Sequence, residues 1–205
     1  MSQDNIRIIK KRASTIQGVI SFFSTILIIL VVANFIALVL VFVASPERFN
    51  AVKGSLDWNV AYKLTNGSSF FLKIPFTKIQ PIDSSLFNAK YAAITTLFLT
   101  FISISLISYG IKQVSNILNS TANDITPFIM DNVKGLKKLA YTIIIYSVAV
   151  DLLSDILFSI FVTKIFVLDI SNIHLSGLVP GMLIFVIADI FKYGVFLQKE
   201  FDTTL

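Results

Sequence analysis

The stretch VISFFSTILIILVVANFIALVLVFVA, residues 19–44, decides the fold. It holds no charged residue, and its length exceeds the roughly 20 helical residues that cross a hydrocarbon core of ~30 Å. Three further apolar runs follow, at 91–111, 139–162 and 175–197. Inside lipid the backbone finds no water to bond, so such runs satisfy themselves as helices. The chain therefore reads as an all-α integral membrane protein, a single domain over 1–205 with four transmembrane helices. Lys10, Lys11 and Arg12 precede the first run in the manner of a signal peptide. A cleavable apolar region is only ~7–15 residues long with small residues at the cut. This run is far longer and would place Phe42 at the −3 position, so it is read as a retained span.

Composition agrees. The chain is 55% hydrophobic and 14% charged, with a mean hydropathy of +0.81, against about 45–50% and ~25% for soluble domains. A net charge of +5 is read as span-flanking Lys and Arg and not as a nucleic-acid surface. With no cysteine and only His174, disulfides, thiolate metal sites and multi-histidine sites are excluded. No G-x-S-x-G, H-E-x-x-H or phosphate-loop pattern occurs, so no enzyme, cofactor or metal is expected.

The basic residues set an orientation. Arg7, Lys10, Lys11 and Arg12 precede span 1. Lys112, Lys134, Lys137 and Lys138 lie between spans 2 and 3, and Lys192 and Lys199 sit at the C-terminal end. Dense clusters of this kind mark the cytoplasmic side, giving N-in and C-in, a cytoplasmic loop at 112–138 and an extracytoplasmic loop at 45–90. Within that outer loop Trp58, Val60, Tyr62 and Leu64 alternate with polar or small residues, and Phe70, Leu72, Ile74 and Phe76 alternate again. Period two is the mark of a strand, and Asn66-Gly67 between them is a strong turn signal. A β-hairpin is expected, with strands at 57–65 and 68–76 and one apolar face. A lone hairpin is marginal in water, so that face covers either the bundle rim or an outside partner. In the inner loop, Asp131 and Asn132 suit a helix start, predicting a short helix leading into span 3.

Charged groups inside spans cost about 2.5–3.5 kcal/mol and need a reason. Asp151 lies near the middle of span 3, with Asp155 one turn further on, and span 4 carries Asp189 and Lys192. Two readings stay open. One is a structural polar cluster, with Lys192 pairing Asp189 and the span 3 carboxylates meeting Asn34, Ser103, Ser105, Tyr146 or Ser147. The other is a proton or cation site. Gly177 and Gly181 are spaced for close helix contact, with Pro180 between them able to kink span 4.

Two stretches, Pro127-Phe128 through Asp131-Asn132-Val133-Lys134-Gly135-Leu136-Lys137-Lys138 and Asp189 through Leu205, resemble a family of small bacterial four-span membrane proteins (YoaS-like) catalogued only as a domain of unknown function. Ile129 departs from the family pattern, which usually has a Ser or Thr there, and Thr203 replaces a commoner apolar residue. The resemblance implies genes often lying beside a small Cro-like helix-turn-helix regulator, and hence a regulatory partnership. The expected function is that of a non-enzymatic bacterial inner-membrane interaction or regulatory protein. Its contacts would be membrane lipid and a cytosolic regulator or other membrane subunit, without nucleic acid. The alternative is a transporter-associated or bacteriocin-immunity protein with an intramembrane Asp site.

Overall fold

A computed structural model describes residues 3–64, 67–79, 82–123, 126–166 and 175–204. In chain order it has α1 (Gln3–Val43), β1 (Phe49–Lys53), β2 (Asp57–Lys63), β3 (Ser69–Pro75), α2 (Ala89–Asn123), α3 (Met130–Leu157), a π-helical segment (Phe158–Thr163) and α4 (Leu178–Thr204). Four helices are long and apolar enough to cross a membrane, over Lys10–Val43, Ala89–Asn123, Met130–Thr163 and Leu178–Phe201.

The helices overrun the apolar runs. α2 continues to Asn123 and α3 starts at Met130 without a break before its apolar part. The 112–138 segment is thus mostly helix and not loop. Its Asn, Ser and Thr residues are only a few tenths of a kcal/mol poorer in a helix than Leu. Thr121 bonds back to the Ile117 carbonyl and Asn123 bonds Asn119. Pro127, which lacks an N–H and disfavours helix in the residue before it, lies in the break between the two helices.

The chain divides into two compact units. One comprises 30–103 and 148–174 and contains the sheet. The sheet is three-stranded and antiparallel in the order β1-β2-β3, which corrects the two-stranded hairpin expected from alternation. Trp58 faces Ile74 and Val60 faces Leu72 across β2 and β3, and Phe49 pairs with Tyr62 across β1 and β2. Gly67 takes φ 81° in the connection, a left-handed conformation that costs glycine nothing. Asn66, like His174, lies outside the described residues. Trp58 is fully buried, stacked on Phe87 at 4.2 Å and edge-on to Phe76 at 6.3 Å. Val60, Ile74, Ala92, Ala93, Phe158 and Val162 share that core. The apolar face of the sheet is therefore spent inside its own unit. Phe70, expected on that face, is 53% exposed, while Tyr62 is half-buried and stacks on Phe49.

The other unit comprises 1–29, 104–147 and 175–205. Its α3 and α4 pack antiparallel: Ser147 meets Gly177, Ile144 meets Gly181, and Tyr141 meets Phe185 at 4.8 Å. A Cβ at Gly177 would lie 2.6 Å from Ser147 and one at Gly181 would lie 2.5 Å from Ile144. The small-residue pair is thus a contact within the chain. Pro180 stands in the first turn of α4, where its missing N–H has no partner to lose.

Replacing Trp58 by Ala should cost about 3–5 kcal/mol, visible as a lowered melting temperature in detergent. Among the described residues its indole Nε1–H has no acceptor. Trp58→Phe, which deletes that unsatisfied donor and keeps a stacked ring, should therefore cost far less in the same measurement.

Candidate functional site

Three groupings contain several of the residues singled out by the sequence. The first joins the two stretches that carried the family resemblance. Upstream of α3, the Phe128 N–H donates to Thr126 Oγ1 at 3.2 Å. Asn132, 2% exposed, donates through Nδ2 to the Pro127 carbonyl at 2.9 Å. Asn132 thus ties down the turn and does not cap free N–H groups as expected, because α3 already begins at Met130. The Phe128 ring packs on Phe191 with centroids 5.2 Å apart and covers Gly194, where a Cβ would lie 2.5 Å from the ring. Lys137 Nζ reaches Asp189 at 3.3 Å. With side chains 40% and 68% exposed, that ion pair contributes at most about 1 kcal/mol.

The second grouping is a polar cleft of about 520 Å³ between the end of α2 and the start of α3, in the same unit. Gln113, Asn116, Asn119, Asn132, Lys134 and Lys138 are among its lining residues. The three lysines read as one basic patch therefore divide: Lys134 and Lys138 border the cleft, and Lys137 turns to α4.

The third grouping is a cavity of about 290 Å³ in the sheet-containing unit. Its chemistry centres on Lys78 Nζ, which donates to Asp151 Oδ1 at 2.6 Å. The side chains are 30% and 14% exposed. Lys78 stands in the turn after β3, and Thr96, Thr100, Ser103 and Ser154 line the same space together with Lys73. Asp155, one turn along α3, is 7% exposed.

Asp151 and Asp189, expected in one cluster, have separate ion-pair partners, Lys78 and Lys137. Asp151 and Asp155 belong to the unit with the sheet, Asp189 to the other. Asp189 pairs with Lys137, and Lys192 is exposed. For Asp189 the physical reason is that Lys137 of α3 stands within reach, so the i,i+3 Lys192 on its own helix is not its partner. Lys78 was missed because its partner lies 73 residues away; an apolar helix bearing an Asp signals that a polar partner is needed but not which one.

Residues 77–205 match the model of a family described as a protein of unknown function, DUF2975. Both resembling stretches lie within that match. No curated protein and no solved structure matches the chain.

Gly194→Ala should destabilise the chain by about 1–3 kcal/mol through overpacking against Phe128. The double change Phe128→Ala/Gly194→Ala should recover part of that loss in thermal melts. For the part-buried Lys78–Asp151 pair, Lys78→Gln and Asp151→Asn should each destabilise more than half as much as the double change, with a coupling of about 0.5–3 kcal/mol in a double-mutant cycle. Purely additive losses would mean that the pair contributes nothing.

Proposed function

The chain belongs to the DUF2975 family, and we propose that it is a non-enzymatic multi-pass protein of the bacterial inner membrane that docks a regulatory partner on its cytoplasmic side. The observation that carries this reading is the polar cleft between α2 and α3. It presents carboxamides from Asn116 and Asn119 beside the ammonium groups of Lys134 and Lys138, and Asp131, 3.5 Å from Lys134, leaves the lining with a formal charge of +1. Carboxamides offer both donors and acceptors, and lysines offer charge. Together they suit an acidic, hydrogen-bonding protein segment better than an apolar ligand. The dense basic residues at 7–12 and 134–138 support the orientation that turns this cleft to the cytosol, N-in and C-in. A cytosolic regulator encoded beside the gene, or another membrane subunit, is the kind of partner that fits.

The pairing of Asp151 with Lys78 supports a structural part for that carboxylate instead of a proton path.

Orientation and docking are tested in one cysteine-free background, since the chain has no cysteine. Cysteine at Lys63 should react with an impermeant reagent on intact cells, and cysteine at exposed Asn119 only after the cells are opened. A photoreactive residue at Asn119 should then cross-link a specific protein in native membranes, with Lys134→Glu/Lys138→Glu abolishing the adduct. The reverse labelling pattern defeats the orientation; an adduct unaffected by the charge reversal defeats the docking site.

A further inference from the structure

We propose that the cavity beside Lys78 and Asp151 is a binding site for the phosphodiester headgroup of an anionic, hydroxyl-bearing lipid. The charge argument comes first. Lys73 and Lys78 border the cavity against one carboxylate, Asp151, so its formal balance is one positive charge. A strongly hydrated ammonium such as that of Lys is a recurring phosphate ligand.

The hydroxyls narrow the class. Thr96 Oγ1 donates to the Ala92 carbonyl at 2.7 Å and Thr100 Oγ1 to the Thr96 carbonyl at 2.8 Å. Their hydrogens are committed to their own helix, so both present lone pairs to the cavity. Acceptors beside a cation fit a headgroup whose phosphate meets lysine and whose own hydroxyls donate. A trimethylammonium headgroup has no hydrogen to give. Ile74, Leu99, Val150 and Phe158 complete the wall and suit the glycerol and first methylenes of the lipid.

Size agrees. Pockets for whole small-molecule ligands run to about 300–1,000 Å³, and about 290 Å³ sits at the lower edge, enough for a headgroup while the acyl chains remain in the bilayer. The site is distinct from the partner cleft. It rests on the reading that α2 and α3 cross a membrane, and the test separates a failure of that reading from a failure of the site.

The full-length protein is placed in nanodiscs of equal parts phosphatidylglycerol and phosphatidylcholine, and co-purifying lipid is counted by native mass spectrometry. Phosphatidylglycerol should be enriched over phosphatidylcholine. Lys73→Gln should lower its retention about fivefold, the effect of one lysine near a membrane surface. The pair Lys78→Gln/Asp151→Asn, which leaves the cavity's net charge unchanged, should lower it less, and Lys53→Gln on the exposed end of β1 should not lower it. Equal retention by all variants overturns the site. Displacement of the lipid by soluble glycerol phosphate at comparable concentration overturns the lipid as its source and leaves a free phosphate ester. Failure to enter nanodiscs at all would defeat the membrane reading instead.

Discussion

An acidic side chain on a long apolar helix needs a polar partner, and much of the sheet-containing unit follows from how Asp151 finds a cation. Lys78 supplies it across 2.6 Å from the turn that follows β3. That turn is fixed in place by Ile79, 3% exposed, and by the pairing of Ile74 with Trp58 one strand back. The sheet cannot stand alone, since a few short strands need an apolar support, and Trp58 provides the attachment by stacking on Phe87. The π-helical turn at Phe158–Thr163 belongs to the same arrangement. It directs Phe158 and Val162 into the core, and the Val162 carbonyl accepts the Asn88 N–H at 3.2 Å just before α2 begins. Lys164 then ends it in a left-handed conformation, φ 56°, a short departure from α geometry that commonly marks a constrained site.

The other unit is held by shape. In lipid there is no hydrophobic gain from joining two apolar helices, so close packing and hydrogen bonds decide. Gly177 and Gly181 bring the α4 backbone against α3, and the Gly177 N–H donates to Ser147 Oγ at 3.1 Å. At the other end of the same contact Gly194 admits the ring of Phe128. The stretches that carry the family resemblance thus meet each other: Phe128 on Gly194 and Phe191, Lys137 on Asp189. Packing and one exposed ion pair explain Phe128, Lys137, Asp189, Phe191 and Gly194 in those stretches.

The four helices were legible because length and apolarity are local properties, and β2 and β3 because period two survives in single strands. β1 was not. Its inward residues are Phe49 and Ala51, but Val52 points out at 65% exposure, so five residues carry no clean alternation. The continuation of α2 to Asn123 was hidden by polar residues that read as loop although none of them breaks a helix. Asp151 was recognised as needing a partner, yet a lysine 73 residues away leaves no sequence mark of its target. The supposed Asp189–Lys192 pair failed for the same reason, since spacing on one helix says nothing of a better-placed cation on its neighbour.

The family match begins at residue 77, so Lys78 and Asp151 fall inside it while all three strands, ending at Pro75, fall outside. The part of the molecule that resembles a family therefore includes both members of the ion pair, and the sheet hangs on that pair and on the Trp58 core. These two attachments differ in kind. The core responds to volume and is indifferent to charge, whereas the ion pair responds to any ion that competes for Lys78 and is indifferent to small changes of shape. An anionic headgroup drawn to Lys78 would weaken its hold on Asp151 and leave Trp58 untouched. At 30% exposure the Lys78 ammonium can be approached from outside, while Asp151, at 14%, stays more shielded.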